Sequence, residues 1–413
     1  MKFNSFLFYI ISSVFTTSGY ASALDVSGQS ILPFLEKGNY TEASVIAVKP
    51  KVSGKIRNNP QLLGGSSDFN TGDMAKSFSY YNAALKIQLN ELLSFGLIYD
   101  QPFGANVLYP IKQNNTYSIN SPLTQGTSVD VESQNISMIF GIEPYKNFQF
   151  YFGPTYQSIK GDVSLRGNAY TTFFNGYNAD FKEDSAIGWL AGVRYKIPEI
   201  ELKLAATYRS KIKHEMIVNE ALHSQPLNEV SFEKTNIVTP QSINIDFQTG
   251  INQTTLAFVN LRWVNWRDFN IRPRQFGAIS ETITAGLSNG AYKEGFDLDS
   301  HQKNQLYAAI GLGHQLTEKT SVGTEVSWDS GTGNPTSSLN PTKGAWGFGL
   351  GLQFNPTLNY FISTGVKYYW LGDAVAEDGT FYLPIDGIKQ NAEQADFRNN
   401  STIAYSFKIG YHF

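Results

Sequence analysis

From Ile403 to Phe413 the chain alternates with a period of two. Ile403, Tyr405, Phe407, Ile409, Tyr411 and Phe413 share one face, and every one is apolar or aromatic; Ala404, Ser406, Lys408, Gly410 and His412 share the other. Only an extended strand sends successive side chains to opposite sides, since a 3.6-residue helical period would mix the two sets. The pattern recurs. Tyr360, Ile362, Thr364, Val366, Tyr368 and Trp370 oppose Phe361, Ser363, Gly365, Lys367 and Tyr369. Ala257, Val259, Leu261 and Trp263 oppose Phe258, Asn260, Arg262 and Val264. Leu202, Leu204, Ala206 and Tyr208 oppose Lys203, Ala205, Thr207 and Arg209, and Phe148, Phe150 and Phe152 oppose Gln149, Tyr151 and Gly153. Strands apolar on one face and polar on the other, at this length, predict a transmembrane β-barrel with lipid outside and a polar lumen inside. Trp328, Trp370 and Tyr411 at strand ends are expected in the interfacial aromatic girdles.

Fourteen strands are expected, near 41–54, 75–88, 92–100, 127–142, 147–167, 185–197, 200–218, 239–249, 254–265, 305–315, 320–329, 344–355, 358–370 and 402–413. Short connections (such as Pro198-Glu199) alternate with long ones near 55–74, 101–126, 168–184, 219–238, 266–304, 330–343 and 371–401. Outer-membrane barrels have short periplasmic turns and long extracellular loops, so the alternation sets an even strand number and puts both termini on the periplasmic side. Backbone groups in lipid must all be satisfied internally, which requires one closed, all-β antiparallel barrel. Composition agrees: aromatics are 14% and charged residues 16%, well below the charge content of about 25% usual in soluble domains. Mean hydropathy is only −0.24 because the two strand faces cancel. Cysteine is absent, which excludes thiolate chemistry, and a net charge of −3 with no basic tract gives a nucleic acid nothing to bind.

The N-terminus reads differently. Lys2, the apolar run around Phe6–Ile11, and Ala21-Ser22-Ala23 form a secretory signal peptide expected to span 1–23. Residues 24–40 do not alternate. Their apolar set, Val26, Ile31, Leu32, Phe34 and Leu35, would not be left in water. The segment is therefore expected to fold into the lumen as a plug, with a disordered tether as the alternative.

Several segments carry a family likeness. Ala206-Thr207-Tyr208-Arg209-Ser210, Ile187-Gly188-Trp189-Leu190-Ala191-Gly192, Leu97-Ile98-Tyr99-Asp100-Gln101-Pro102-Phe103-Gly104, Leu261-Arg262-Trp263-Val264-Asn265-Trp266 and Tyr369-Trp370-Leu371-Gly372-Asp373-Ala374 resemble, in order and spacing, the FadL-type long-chain fatty acid transporters of the Gram-negative outer membrane, which include aromatic-hydrocarbon channels. The resemblance implies a 14-stranded barrel blocked by an N-terminal hatch, here centred on Ile31, Leu32, Phe34 and Leu35. It also implies hydrophobic cargo that is captured outside, held inside, and released past the hatch or laterally through the wall. One departure stands out: where many members have Asn-Pro-Ala, this chain reads Asn39-Tyr40-Thr41-Glu42-Ala43, without proline.

Two sets of residues are candidates for handling such a cargo. Tyr170, Phe173, Phe174, Tyr177 and Phe181 crowd a loop expected on the outside, where they could form a capture patch. The alternative is a loop that folds inward on its neighbours. Lys203, Arg209, Arg262 and Lys367 face inward by parity and could bind a carboxylate, or they could pair with Glu201, Glu325 and Asp329 in an ordinary polar lumen. Catalytic patterns do not hold up. Gly286-Leu287-Ser288-Asn289-Gly290 matches G-x-S-x-G but is expected inside a long loop, without the strand and helix that motif needs. His223-Ser224 also lies in a loop. Asp68, Asn70 and Asp73 lack the closing Glu of a calcium loop. No enzyme, metal site or cofactor is expected. The leading expectation is passive uptake of long-chain fatty acids or similar hydrophobic molecules. Aromatic-hydrocarbon uptake, a general diffusion porin and an outer-membrane hydrolase are the alternatives. Expected partners are outer-membrane lipid, lipopolysaccharide and, through Phe413, the barrel assembly machinery, with the protein acting as a monomer.

Overall fold

The computed structural model describes residues 24–57, 69–111, 118–119, 125–227, 234–377 and 395–413; the expected signal peptide lies outside them. Fourteen strands run β1 Tyr40–Lys51, β2 Phe78–Gln88, β3 Leu93–Asp100, β4 Ser128–Tyr145, β5 Phe148–Ser164, β6 Tyr177–Ile197, β7 Leu202–Arg209, β8 Ser242–Asn252, β9 Thr255–Val264, β10 Gln305–Gln315, β11 Thr320–Asp329, β12 Ala345–Phe354, β13 Tyr360–Leu371 and β14 Ser401–His412. Each pairs antiparallel with its sequence neighbour, and β1 closes on β14 from Tyr40↔His412 to Lys51↔Ser401. Closure leaves no open edge, so the wall backbone is satisfied without water. The six short turns and seven long loops alternate as the sequence predicts.

Burial inverts the soluble pattern. Phe140, Phe152, Ile187, Trp189, Ile310, Leu350 and Phe407 are exposed on the outer face, whereas Asn135, Gln149, Arg194, Arg209, Arg262, Glu325 and Lys367 are buried in the lumen. Trp328, Trp370 and Tyr411 are exposed on the outside as well.

Three regions on the loop side depart most from expectation. β6 begins at Tyr177 and not near 185, because it continues above the lipid-facing stretch as a ribbon with β5 as far as Ser164↔Asn178. Tyr177 and Phe181 are therefore strand residues. The strand expected at 200–218 is three pieces: β7, then Ile212–Met216 paired with Thr235–Thr239, then Val218–Leu222 paired with the upper part of β6. The region near 266–304, read as a plain loop, contains a helix at Arg274–Leu287, with a shorter one at Thr171–Phe174; in chain order these are α2 and α1.

The wall is interrupted after β3. β3 stops at Asp100, and the chain resumes as Gly104–Leu108, paired with β4 but not with β2. Between them Pro102 and Phe103 leave the ladder. Ser133 Oγ accepts the Phe103 N–H at 2.8 Å and donates to its carbonyl at 2.7 Å. Opposite, the Tyr81 N–H finds the Gln101 side-chain oxygen at 2.9 Å in place of a backbone carbonyl.

Candidate ligand-binding site

The segment before β1 lies inside the barrel and links its floor to the interrupted wall. Near its start it acts as a short strand against the break: Asp25 bridges Phe103, the Val26 N–H donates to Pro102 O at 2.8 Å, and the Gly104 N–H donates to Leu24 O at 2.9 Å. Lower down it makes a one-turn 3-10 helix, Leu32–Leu35, with Pro33 in its first turn, where the missing N–H leaves no bond unmade. Ile31, Phe34 and Leu35 are almost wholly buried against Ile98, Ile139, Tyr151 and Leu190; Leu32 is partly buried beside them. Phe34 needs wall positions without side chains. A Cβ at Gly141 would sit 2.9 Å from the Phe34 ring, and one at Gly96 would overlap it.

Polar groups of the wall fasten this segment along its length. Arg262 Nε donates to Asp25 Oδ2 at 2.7 Å with both side chains buried, and its other nitrogens reach Asn244 Oδ1 at 2.7 Å, Ser242 Oγ at 3.2 Å and Gln29 Oε1 at 3.2 Å. Arg209 donates to Gln29 O at 3.1 Å and to Ser137 Oγ at 3.2 Å. Ser27 Oγ donates to Asp100 Oδ2 at 2.7 Å, Asn244 Nδ2 to Gly28 O at 2.9 Å, and Arg194 to Leu35 O at 2.5 Å. Of the four inward cations, Arg209 and Arg262 thus hold the N-terminal segment. Lys367 pairs with Glu325 and donates to the Tyr307 hydroxyl at 3.0 Å. Lys203 is half-buried at the periplasmic end, in a cavity of about 570 Å³ that also receives Lys37, Lys86, Arg194, Glu36 and Glu143. Parity placed all four cations correctly but did not bring them into one carboxylate clamp.

The five loop aromatics are not an exposed patch. Phe173 alone is open, at 48% exposure, while Tyr170, Phe174, Tyr177 and Phe181 are buried. The cause is α2. Phe276 stacks on Phe174 at 4.3 Å between centroids and meets Tyr177 edge-on at 5.3 Å, with Phe296 completing the cluster. Glu220 then fixes α2 by accepting the Gln275 and Phe276 N–H groups at 2.9 and 2.8 Å and the Tyr177 hydroxyl at 2.7 Å. A carboxylate at a helix N-terminus meets unpaired N–H donors and a favourable dipole. Sequence reasoning missed this set because the helix was hidden in a stretch read as loop.

Between these packed loops and the tip of the N-terminal segment is a partly open apolar cavity of about 50 Å³. Leu24 and Ala105 line it near the wall break, Val131, Ile159 and Phe181 along the strands, and Phe269, Leu298 and Leu339 from the loops. Trp266 anchors the loops beside it: it is fully buried, its Nε1 donates to Gln305 at 2.8 Å, and its ring meets Phe103, Phe269 and His301. Burial depresses the His301 imidazole to about 4 and pushes the Asp299 carboxyl up to about 7.

The catalytic look-alikes resolve into local structure. Ser288 closes the C-terminus of α2, donating to Thr284 O at 2.7 Å and accepting the Tyr292 N–H at 2.9 Å. His223 and Ser224 form a left-handed hairpin turn with φ of 50° and 66°. Asn70 and Asp73 cap turns by accepting the Gly72 and Val52 N–H groups, and Asp68 lies outside the described residues. Among the described residues no group of three or more His, Asp or Glu could hold a metal.

Comparison with known proteins places this architecture. The family described as outer membrane protein transport protein (OMPP1/FadL/TodX) matches residues 30–413. No curated protein matches the sequence. Among solved structures, a Pseudomonas aeruginosa FadL homologue superposes with a TM-score of 0.67 at 14% identity over 92% of both chains. The Pseudomonas putida toluene transporter TodX does so with a TM-score of 0.60 at 12% identity over 96% of both. The Ralstonia pickettii toluene transporter TbuX gives 0.56 at 10%, covering 98% of this chain and 99% of that one.

Proposed function

Since this chain belongs to the OMPP1/FadL/TodX family of outer-membrane transport proteins, we propose that it takes up a hydrophobic molecule by passive passage through the apolar cavity and out at the wall break, with residues 24–39 as the plug that blocks straight descent through the lumen. One observation carries the reading: the apolar cavity is bounded by Leu24 and Ala105, and these residues belong to the two pieces of chain that meet at the interruption after β3. An apolar solute gains about 25 cal/mol for each Å² it removes from water there. It then reaches lipid without crossing the polar latch of Arg209, Arg262 and Asp100.

A long-chain fatty acid is the second reading of the cargo. Lys37, Lys86 and Lys203 in the lower cavity support it, since a carboxylate would find ammonium groups there beside Glu36, Glu143 and Glu201. An aromatic hydrocarbon, the cargo printed for TodX and TbuX, needs no such group.

The test measures ion conductance in a planar bilayer beside binding of a labelled hydrophobic probe to the same protein. Little conductance with saturable binding is expected. Large steady conductance without binding would make the protein an open porin and overturn the reading.

A further inference from the structure

Asp299 is a buried carboxyl in the lining of the apolar cavity. It sits on a two-residue strand, Asp299–Ser300, paired with Asn270–Ile271. It is 9% exposed and lines the same space as Leu24, Phe181 and Leu339. Ser337 and the Ser300 backbone hydrogen-bond its carboxyl, but Oδ1 is buried with no partner among the described residues. No other polar residue lining the cavity reaches Oδ1 among the described residues. Lys160 turns outward to Glu132 at 3.0 Å, Asp162 is exposed, and Asn340 Oδ1 accepts from Thr342 at 3.1 Å. A buried acceptor left without a donor is unfavourable, and a site of this kind discriminates strongly for a ligand that supplies the missing hydrogen bond.

We infer that Asp299 is a specificity-determining residue whose free Oδ1 accepts a hydrogen bond from a hydroxyl on an uncharged hydrophobic cargo, so that the cavity selects neutral alcohols over both hydrocarbons and carboxylates. The inference rests on the uptake reading above and names its substrate class. A carboxylate cargo would place a second negative charge against Asp299, near Asp297, in a space with no inward cation; an alkane would leave Oδ1 unpaired. The carboxyl is already pushed up to about 7 by burial, so its anion is poorly solvated and gains from any donor.

The test compares 1-decanol, decanoate and decane, each radiolabelled, on the full chain in lipid nanodiscs, with protein-free discs as the blank. The measurement is made at about pH 8, above the Asp299 value of about 7. The wild type is expected to bind 1-decanol about tenfold more tightly than decane and at least about tenfold more tightly than decanoate. Asp299→Leu is expected to lower 1-decanol to the level of decane. Asp299→Asn keeps an acceptor without charge, and is expected to retain 1-decanol binding while improving decanoate about tenfold. Heat-modifiable gel mobility verifies that both variants are folded barrels. Decanoate displacing labelled 1-decanol from the wild type as well as unlabelled 1-decanol does, or an unchanged decanol-to-decane ratio in Asp299→Leu, would overturn the inference and leave the uptake reading intact. Binding of none of the three would overturn both.

Discussion

Replacing Arg262 by Met removes the cation that faces Asp25 while keeping most of the side-chain length. Asp25 is 2% exposed, its Oδ2 accepts only from Arg262, and its Oδ1 has no partner among the described residues. The variant thus leaves a buried carboxylate with no cation and no donor, on the segment that pairs with the wall break. Removing one partner of a buried ion pair costs about 3–5 kcal/mol, here charged against the docked position of residues 24–39. At about 1.4 kcal/mol per factor of ten, the docked-to-undocked ratio falls by roughly 10² to 10⁴. Single-channel recording is the assay: the wild type is expected to be nearly silent, and Arg262→Met to show frequent ion-conducting steps. Limited proteolysis with N-terminal sequencing should reveal cleavage within 24–39 in the variant only. Asp25→Asn on the Arg262→Met background removes the stranded charge, so the double variant is expected to be quieter than the single one, a coupling between the two changes that independent sites would not show. If Arg262→Met is silent and its N-terminal segment is as protected as in the wild type, the Arg262–Asp25 pair does not hold residues 24–39 in place.

Further outcomes follow from the packing. Gly96→Val puts a side chain where the Phe34 ring lies, so the segment should be expelled and conductance should rise while the barrel still folds; an unchanged trace would mean that Phe34 has room to move. Phe174→Ala should loosen the α2 cluster by about 3–5 kcal/mol, read as faster proteolysis of the loops, whereas Phe173→Ala, at an exposed position, should raise that rate far less. His301 is depressed by burial from 6.5 to about 4. Its neutral form is the one that the fold accepts, so its contribution is complete above about pH 6.5 and lost as pH falls through about 4. Protection of the amides around Trp266, taken relative to the intrinsic exchange rate at each pH, should therefore fall on acidification across that window, and His301→Phe should flatten the dependence.

What could be read in the sequence, and what could not, divides along the boundary of the membrane. Within the hydrocarbon each strand residue meets one of two solvents, lipid or lumen, so identity alternates with position and parity can be counted; that is why Lys203, Arg209, Arg262 and Lys367 could be assigned inward, and why fourteen strands could be numbered. Above the lipid both faces of a ribbon meet water or other loops. The alternation stops there, and Tyr177 and Phe181 in β6 look like loop residues although they are strand residues. Helix α2 was missed for a related reason: its apolar side, Phe276 above all, is covered by α1 and β6 and not by a core that its own period would announce. Parity also gives direction without partner. It sent Arg262 into the lumen, but whether that guanidinium would meet a cargo carboxylate or Asp25, 237 positions away, depends on where an N-terminal segment of no clear period comes to rest. The same segment decides what can cross. Once Asp25 and Gln29 occupy Arg262 and the Arg209 fork holds Gln29 O, the inward cations nearest the apolar cavity are committed to the protein itself. Among the described residues lining that cavity, the buried polar atom left without a partner is an acceptor, Asp299 Oδ1, and not a cation that would receive a carboxylate.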